Sequence, residues 1–398
     1  MKYYAAGGAV RDLLLGQPVR DVDYAFSATE EEFIQRNPAA RKIQSDTCTI
    51  YLMGGQEFTP LAQGNLSRDM LRRDFTINAL LLSENGVLHM HPDAIEDLKN
   101  RCIRAVSPSS LADDPVRVFR AARLSAKFPD FSLHADTLAQ MRALGIENFS
   151  AARGCEDLDG CGDAPPSLLY AIAPEQVGNE MRKACLAARP GNFIRSLKRG
   201  NCLVPWFTEL CRAAIIPAGP PAFHDASVLE HTAHVMDGTA TLADHYQATE
   251  TERALAVWMA LCHDIGKSET PKDMLPHHYG HEIRGCKIAE ALGLRLRLPA
   301  AFVKAGKLSA RLHMKAGNYR QLRPGTKADL LTCLHAAGLV APFAWMTAAD
   351  SAQEDLPLLL QNDLERLLSV TLPAQWRDKG KTSGLRLREL RCMVLSRS

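Results

Sequence analysis

The stretch GGAVRDLLLGQPVRDVDYAF, residues 7–26, decides the fold of the N-terminal part of the chain. Gly7 and Gly8 allow a backbone to approach a phosphate closely. A helix that begins near Ala9 would point its first amides at that anion. Arg11 then lies where it could meet a triphosphate oxygen. The first half of the stretch therefore predicts a turn built for a phosphorylated ligand.

The second half of the stretch predicts a metal site. If Asp21 and Asp23 lie in one strand, their side chains project to the same side. Two neighbouring carboxylates stay ionised only when a cation lies between them, and Mg²⁺ is the cation that prefers oxygen ligands beside phosphates. The pattern therefore indicates metal-assisted nucleotidyl transfer. Asp-x-Asp alone is common on loops, and Glu57 is either a third carboxylate or a solvated strand residue.

Composition places the chain among soluble globular proteins of several domains. It has 398 residues, 46% of them hydrophobic and 23% charged, with a formal net charge of +2. A nucleic-acid partner must therefore meet a local basic patch. We find no signal peptide and no uninterrupted apolar span, and the 11 cysteines contain no CxxC pair. These features predict a cytoplasmic protein with reduced thiols, and zinc at the Cys155–Cys161 loop is only weakly indicated.

The pattern along the chain predicts an α+β fold. Residues 1–105 mix strand signals (VDYAF, CTIYLM, VLHMH) with helical ones (EEEFIQR, FTINALLL). Residues 106–220 are mostly helical, 221–355 form a histidine-rich helical region, and 356–398 form a basic helical tail. The Pro- and Gly-rich residues 215–227 are the best linker.

Three motifs together resemble a known family. GGAVRDLLLGQPVRDVDYAF, LRRDFTINALLL and DDPVRVFRAARLSAKF occur in the order found in class II tRNA nucleotidyltransferases, which are the CCA-adding enzymes and the related poly(A) polymerases. The resemblance covers at least residues 1–185. It implies a polymerase-β-like head, a helical neck that selects the nucleotide, and a helical body and tail that hold tRNA.

The resemblance also implies roles for particular residues. Asp21 and Asp23 would be catalytic and would hold Mg²⁺. The residues implied in binding the incoming nucleotide are Gly8, Arg11, Arg73, Asp114, Arg117, Arg120 and Arg123.

The base-reading motif of this family, Glu-Asp-x-x-Arg, stands here as Asp113-Asp114-Pro115-Val116-Arg117. Asp114 and Arg117 are three residues apart at a helix start, so their side chains can pair and present acceptors and donors to a base edge. A helix cap is the alternative role of Asp114. Arg117, Arg120 and Arg123 form a positive stripe without interspersed acids, which favours phosphate or ribose contacts.

One departure concerns the segment between Glu57 and Arg72. Family members carry a long flexible loop here that is tied to the switch from C to A addition, and this chain has a short one. Enzymes that add only CC resemble the short version. The short loop therefore favours a product that ends in CC, with the last A left to another enzyme, and a complete CCA end is the alternative.

The histidine-rich region resembles an HD-domain phosphohydrolase. His231, the His263–Asp264 doublet and Asp350 follow that family's metal-ligand order, with His278, His281 and His313 available for a second metal. Imidazole with carboxylate suits transition metals such as Ni²⁺ or Mn²⁺. A metal-bound water would attack a phosphodiester, and Lys267 could meet the phosphate.

The sequence therefore predicts a template-independent tRNA 3′-end nucleotidyltransferase that uses CTP and ATP, fused to an HD phosphohydrolase. Its tRNA contacts should lie mainly along acceptor-stem phosphates. The alternatives are a poly(A) polymerase, an HD phosphodiesterase with a nucleotide-sensing head, and a non-enzymatic RNA-binding protein. The oligomeric state stays open.

Overall fold

A seven-stranded mixed sheet forms the centre of the N-terminal part of the chain. The computed structural model describes residues 1–19, 21–44, 49–145, 167–221 and 226–396. The chain divides into two units, one of Met1–Ser125 with Pro129–Gly145 and the other of Ala126–Phe128 with Ile146–Ser398. The Cys155–Cys161 loop lies outside the described residues.

The strands of the first unit form one large sheet and one small pair. The strands are β1 (Lys2–Ala6), β2 (Asp23–Ser27), β3 (Arg41–Gln44), β4 (Thr49–Met53), β5 (Gln56–Pro60), β6 (Leu80–Ser83), β7 (Leu88–Met90), β8 (Cys102–Ile103) and β9 (Ser132–Leu133). The large sheet has the order β3-β4-β5-β2-β1-β6-β7, and β8 pairs with β9. Within the large sheet β2 and β5 run parallel, and the other pairs are antiparallel.

Seven helices accompany these strands in the described part of the first unit. They are α1 (Gly8–Leu14), α2 (Glu30–Arg36), α3 (Leu66–Leu71), α4 (Ala94–Lys99), α5 (Ser110–Asp113), α6 (Arg117–Lys127) and α7 (Ala135–Leu144). Thr29 and Glu32 form a reciprocal capping box that fixes the start of α2. Phe33 on α2 is buried and stacks on Phe26 of β2 at 4.0 Å between ring centroids. This contact holds α2 on one face of the sheet.

Two local predictions were wrong. FTINALLL is not a helix, because Thr76–Asn78 form a short 3-10 turn and Leu80–Ser83 form strand β6 between β1 and β7. A short apolar run fits a buried strand as well as a helix. The strand β2 begins at Asp23, so Asp21 precedes it and the period-2 argument does not apply to Asp21.

The described part of the second unit is helical. Its helices are α8 (Pro174–Cys185), α9 (Gly191–Arg199), α10 (Thr208–Ala213), α11 (Val228–His245), α12 (Glu250–Cys262), α13 (His281–Arg295), α14 (Ala300–Gly317), α15 (Pro324–Ala337), α16 (Val340–Ser351), α17 (Leu356–Leu368) and α18 (Lys381–Leu395). Every residue from Arg253 to Cys262 of α12 is buried. Trp258 lies at its centre and donates a hydrogen bond to the carbonyl of Phe302 at 2.8 Å. The central helix α12 therefore has no solvent face over that stretch.

The segment expected to be a linker is held to the second unit where it is described. Ala218 is fully buried and its amide donates to the carbonyl of Ala226. The basic tail is a helix, α18, and Arg388 pairs with Asp329 on α15 at 2.7 and 2.8 Å. Among the described residues, no helix combines the length and the apolar character that a membrane span requires.

Candidate functional sites

The glycine turn of the first unit faces two arginine side chains. Gly7 has a positive φ of 65°, and a Cβ at this position would lie 3.1 Å from Nη1 of Arg73. A Cβ on Gly8 would lie 3.3 Å from Nη2 of Arg11. Larger residues would displace these guanidinium groups. The structure thus places Arg11 and Arg73 at the Gly7–Gly8 turn, and their contact with a nucleotide stays a prediction.

The predicted metal-binding carboxylates lie at the N-terminal end of β2. Asp23 is the first residue of that strand, and Asp23 and Asp21 are both exposed. Tyr24 and Phe58 are partners in the parallel pairing of β2 with β5, and their rings stack at 5.1 Å. Asp23 and Glu57 precede them by one residue and so share the opposite face of the sheet. Glu57 is thus placed beside Asp23, while a common orientation of Asp21 and Asp23 stays a prediction.

A chain of polar contacts connects two of the predicted nucleotide-binding arginines. Arg11, which is nearly buried, donates from Nη1 to Oδ1 of Asn78 at 2.5 Å. Asn78 donates in turn to Oδ1 of Asp74 at 3.0 Å. The second oxygen of Asp74 lies 3.0 Å from Nη2 of Arg120 on α6. One buried amide and one buried carboxylate therefore connect the two arginines, and Arg11 also donates from Nε and Nη2 to Asp12 at 2.8 and 2.7 Å.

The buried carboxylate of Asp74 is kept charged by its surroundings. Burial acts to raise the pKa of Asp74. The charge of Arg120 lowers it, together with hydrogen bonds from Asn78 and the amide of Phe75 and the charge of Arg123, and the pKa lies below its usual value. Arg123 also acts electrostatically on Arg11. Arg120 and Arg123 therefore both act electrostatically on Asp74, and Asp74 and Arg123 both act on Arg11.

The pair expected to read the base is present. Nε of Arg117 lies 3.6 Å from the carboxylate of Asp114. The rest of the guanidinium group donates to the carbonyl and hydroxyl of Ser110 at 3.0 and 2.8 Å, and to the carbonyl of Arg72 at 2.6 Å. Helix α6 begins at Arg117, three residues after Asp114. The arginine is thus fixed by three oxygens besides Asp114.

Asp74 and Asn78 were not predicted as site residues, although both lie within LRRDFTINALLL. Asp69 was missed as well: it is fully buried and pairs with Arg73 at 2.8 Å and with Arg72 at 2.5 Å. An acid within an arginine-rich segment is the signal that could have identified Asp69 and Asp74, because buried charges are usually paired.

In the second unit four histidines and Asp350 surround Asp264. Oδ2 of Asp264 lies 3.5 Å from Nε2 of His231 and 3.4 Å from Nε2 of His263. Oδ1 lies 3.2 Å from Nε2 of His281 and 3.3 Å from Nε2 of His313. Asp350 adds a carboxylate oxygen 3.1 Å from His231. One carboxylate therefore separates two histidine pairs.

Five helices bring these residues together. His231 lies on α11, His263 and Asp264 follow α12, His281 opens α13, His313 lies on α14 and Asp350 lies on α16. Two groups of three have all their ligand atoms within 4.8 Å of one another, namely His231, His263 and Asp264, and Asp264, His281 and His313. Nitrogen and oxygen ligands at this spacing fit two transition-metal ions that share Asp264.

The crowding of acids and imidazoles in this cluster shifts the pKa of His263 and of Asp264. Burial acts to lower the pKa of His263, but Asp264 and Asp350 raise it to about 10. Burial acts to raise the pKa of Asp264, but Lys267 and His263 hold it well below the usual range. Such a carboxylate stays ionised and available as a ligand.

Two expectations about this region were wrong. His278 is not beside His281 and His313 as a ligand, because its ring nitrogens contact the hydroxyl of Thr270 at 2.7 Å and the carbonyl of Pro217 at 2.9 Å. Lys267 does not face outward toward a phosphate. It is buried, and Nζ lies 2.7 Å from Asp264 and 2.8 Å from the carbonyl of Ala218.

Two protein-family models match separate parts of the chain. The poly(A) polymerase head domain matches residues 3–61, and the HD domain matches residues 228–337. The fold and the two sites thus define a class of protein, in which a nucleotidyltransferase head is followed along the chain by a histidine–aspartate domain. Both domains imply dependence on divalent metal ions.

Relatives along nearly the whole chain carry one name. A multifunctional CCA protein of Azoarcus sp. is 32% identical over 368 residues, which are 88% of this chain and 82% of that protein. Another, of Aromatoleum aromaticum, is 35% identical over 352 residues, 83% of this chain and 79% of that protein. The chain belongs to this family of enzymes, the multifunctional CCA proteins.

Solved structures share the fold at lower identity. The Thermotoga maritima CCA-adding enzyme complexed with tRNA has a TM-score of 0.64 and 17% identity, over 100% of this chain and 88% of that one. A tRNA-processing enzyme in an apo form has a TM-score of 0.62 and 20% identity, over 99% of this chain and 93% of that one.

Proposed function

We propose that this chain adds C residues, to give CC or CCA, to the 3′ end of tRNA from CTP and ATP without a nucleic-acid template. We further propose that its HD domain hydrolyses phosphate esters. In this proposal the head is residues 1–105, the neck 106–220, the HD domain 221–355 and the tail 356–398, and the enzyme works in the cytoplasm.

The observation that carries the proposal is the connected set Arg11, Asn78, Asp74 and Arg120. It presents arginines from α1 and α6 beside the Gly7–Gly8 turn, with Arg73 over the same turn. A cluster of fixed guanidinium groups is suited to a triphosphate, because charge-assisted hydrogen bonds to phosphate oxygens are strong. Asp12 accepts from Arg11 and Asp69 accepts from Arg73, which fixes the direction of both groups. Positioning and charge are the main contributions a protein makes to phosphoryl transfer.

Base selection falls to Asp114 and Arg117 in this proposal. The guanidinium group of Arg117 is anchored by Ser110 and the carbonyl of Arg72, which fixes the direction of its remaining donor. The carboxylate of Asp114 supplies an acceptor next to it. A rigid donor–acceptor pair can replace a template base, because it distinguishes Watson–Crick edges by their hydrogen-bonding pattern.

The carboxylates at the start of β2 fit Mg²⁺. Asp21, Asp23 and Glu57 are exposed oxygen ligands on or next to neighbouring strands. When bound, the ion would neutralise phosphate charge and lower the pKa of the attacking hydroxyl. In the HD domain, Asp264 with the four histidines and Asp350 fits Ni²⁺ or Mn²⁺, and Lys267 keeps Asp264 ionised.

Extension of tRNA transcripts tests the proposal. Transcripts that lack A76, CA or CCA are incubated with CTP, ATP or both, and their 3′ ends are sequenced. We expect addition of C, and loss of addition in Asp21→Ala and Asp23→Ala variants that retain HD-domain metal. Addition of A to a CC-ended transcript identifies a complete CCA product, and its absence identifies a CC product.

Two results would overturn the proposal. Untemplated poly(A) extension of arbitrary RNA would show a poly(A) polymerase. No incorporation into any transcript, with phosphodiesterase activity retained, would show that the head only senses nucleotides. An HD domain loaded with Ni²⁺ or Mn²⁺ that hydrolyses no phosphate ester would refute the second activity alone.

A further inference from the structure

One buried carboxylate, that of Asp69, bonds to three other residues of the first unit. Asp69 lies on α3 and is fully buried. Its Oδ1 accepts from the amide of Ala62 at 3.3 Å and lies 2.5 Å from Nη2 of Arg72. Its Oδ2 accepts from Nε and Nη2 of Arg73 at 3.2 and 2.8 Å. All of these partners balance one buried charge, so the loss of that charge leaves both arginines without their counterion.

The bonds from Arg73 to Asp69 set the direction of the guanidinium group. They use Nε and Nη2, and Nη1 is the nitrogen that a Cβ on Gly7 would approach to 3.1 Å. Two charge-assisted hydrogen bonds from one guanidinium group fix its orientation as well as its position. Asp69 therefore holds Nη1 of Arg73 at the glycine turn, where the triphosphate is proposed to bind.

The ion pair with Arg72 extends the same network to the base-reading pair. The side chain of Arg72 lies between Asp69 and the carbonyl of Pro60, which accepts from Nη2 at 2.8 Å. The backbone carbonyl of Arg72 accepts from Nη2 of Arg117 at 2.6 Å. A side chain that is held at its end restricts the backbone that carries it, so Asp69 acts on Arg117 through one intervening residue.

The short segment between Glu57 and Arg72 is closed by the same contacts. It contains the end of β5, the 3-10 turn Ala62–Gly64 and helix α3. The bond from the amide of Ala62 to Asp69 ties the turn to α3, and the bond from Arg72 to Pro60 ties the end of α3 to the end of β5. The segment that carries both arginines is therefore fixed before a nucleotide binds.

We propose that Asp69 is a positioning residue that couples the triphosphate subsite of the head to its base subsite. Because it is fully buried, it acts through Arg73 on the triphosphate and through the backbone of Arg72 on Arg117. This role rests on the proposed nucleotidyl transfer. It makes phosphate affinity and base selection depend on one carboxylate.

Nucleotide binding in the absence of tRNA tests this role in the full-length protein. Equilibrium dialysis with Mg²⁺ and labelled CTP or UTP gives a Kd for each, and the ratio of the two values measures base selection without turnover. Asp69→Asn keeps the shape of the side chain and removes its charge. We expect the Kd for CTP to rise about tenfold, because charged hydrogen bonds are lost, and the selection of CTP over UTP to fall at least about fivefold.

Two further variants separate the two arms of the network. Arg72→Gln removes the ion pair next to Arg117 and keeps the pair of Asp69 with Arg73. It should weaken selection while retaining the affinity for inorganic tripolyphosphate, whereas Asp69→Asn should weaken both. In the double variant of Asp69→Asn with Arg117→Lys, selection should be no lower than in Arg117→Lys alone, because both changes act through the same side chain. Arg72→Gln also tests the role if Asp69→Asn fails to fold.

Asp97→Asn is the matched control for burial and charge. Asp97 is 1% exposed, pairs with Arg104 at 3.0 Å and accepts from the hydroxyl of Thr76 at 2.7 Å. Both acid variants should lower the stability of the first unit, whereas only Asp69→Asn should lower the selection of CTP over UTP.

Three results would overturn the role of Asp69. They are unchanged selection in both Asp69→Asn and Arg72→Gln, an equal fall of selection in Asp97→Asn, and equal binding of CTP and UTP by the wild type. A wild-type protein that extends no tRNA, with selection of CTP lost in Asp69→Asn, would refute the proposed function and support this role.

Discussion

One carboxylate oxygen of Asp74 lies 3.0 Å from the guanidinium group of Arg120. Asp74 is 5% exposed, and its other oxygen accepts hydrogen bonds from Asn78 and the amide of Phe75. The acid thus fixes an arginine of α6 to the segment that also holds Arg11. The arginine side chains are thus preorganised before substrate binds, so binding costs little side-chain entropy.

Asp74→Asn should weaken the first unit in a pH-dependent manner. Because the pKa of Asp74 is lowered in the folded protein, its carboxylate stabilises the fold above the unfolded pKa of about 3.9 and loses that effect as pH falls through the folded pKa. We expect a loss of about 1–3 kcal/mol near neutral pH that shrinks below about pH 4. Hydrogen exchange in peptides covering residues 68–80 measures it.

The control for this prediction is Asp130→Asn. Asp130 pairs with Arg101, and both side chains are about half exposed, so this ion pair should contribute little. Equal losses in the two variants, or a loss in Asp74→Asn that stays constant as the pH falls, would contradict the prediction.

Arg117→Lys should impair nucleotide selection. A single ammonium group cannot reach Ser110 and the carbonyl of Arg72 together while facing Asp114. We expect kcat/KM for CTP to fall about ten- to a hundredfold, with weaker discrimination against UTP. Single-nucleotide incorporation assays with each triphosphate give these values.

Asp113→Asn is the matched variant for that experiment. The carboxylate of Asp113 accepts a hydrogen bond from Ser109 at 2.9 Å, and Asp114 is the acid beside Arg117. The change should leave selection close to wild type. Selection lost in Asp113→Asn and retained in Arg117→Lys would reverse the assignment.

The metal content of single variants should distinguish the two groups of ligands that share Asp264. After loading with Mn²⁺ or Ni²⁺, His231→Ala should lose the ion on the Oδ2 side, and His313→Ala should lose the ion on the Oδ1 side. Asp264→Asn should reduce binding of both, since one carboxylate serves both groups. Elemental mass spectrometry of the desalted protein counts the ions.

His278→Gln is the control for metal content. His278 contacts Thr270 and Pro217 and belongs to neither ligand group. It should therefore retain the wild-type metal content. A loss as large as that of His313→Ala would return His278 to the ligand set.

Gly266→Ala should destabilise the second unit. A Cβ on Gly266 would lie 2.0 Å from the carbonyl oxygen of His281 and 2.5 Å from the amide of Gly285, and both are backbone atoms that cannot turn aside. We expect a cost of about 1–3 kcal/mol and weaker metal binding, because Asp264 and His281 would be forced apart. Urea unfolding followed by tryptophan fluorescence, to which the buried Trp206, Trp258 and Trp345 of the second unit contribute, measures the first effect.

Gly317→Ala is the comparison for this packing argument. Gly317 ends α14, and a Cβ there would meet nothing within 4 Å. Its effect should be neutral or slightly stabilising. Unfolding midpoints that are the same for the two alanine variants would refute the steric explanation.

Much of the site could be predicted because its residues belong to short sequence patterns that specify local structure. The strand after Asp23 and the helix with Arg117, Arg120 and Arg123 are encoded by local periodicity and turn residues. Ligand order in the histidine region predicted a cluster that five helices assemble. The fold class, α+β, was likewise confirmed.

The errors share a cause. FTINALLL is too short for its apolar pattern to distinguish a helix from a strand, and the pairing of Leu80–Ser83 with β1 and β7 decides the matter. His278 and Lys267 have the right residue types, but their partners, Pro217 and Ala218, are backbone carbonyls far away in sequence. Hydrogen bonds to backbone carbonyls cannot be predicted from the pattern of residue types.

The sequence by itself determined the family and the α+β character, because these depend on residue type and spacing, and it predicted the acids, arginines and histidines that are proposed to carry the chemistry. The tertiary structure alone decided that Asp74 and Asn78 join Arg11 to Arg120 and that Asp264 divides its two oxygens between two histidine pairs. Hydrogen bonds and ion pairs act over about 3 Å. Only the folded chain brings residues so distant in sequence to that separation.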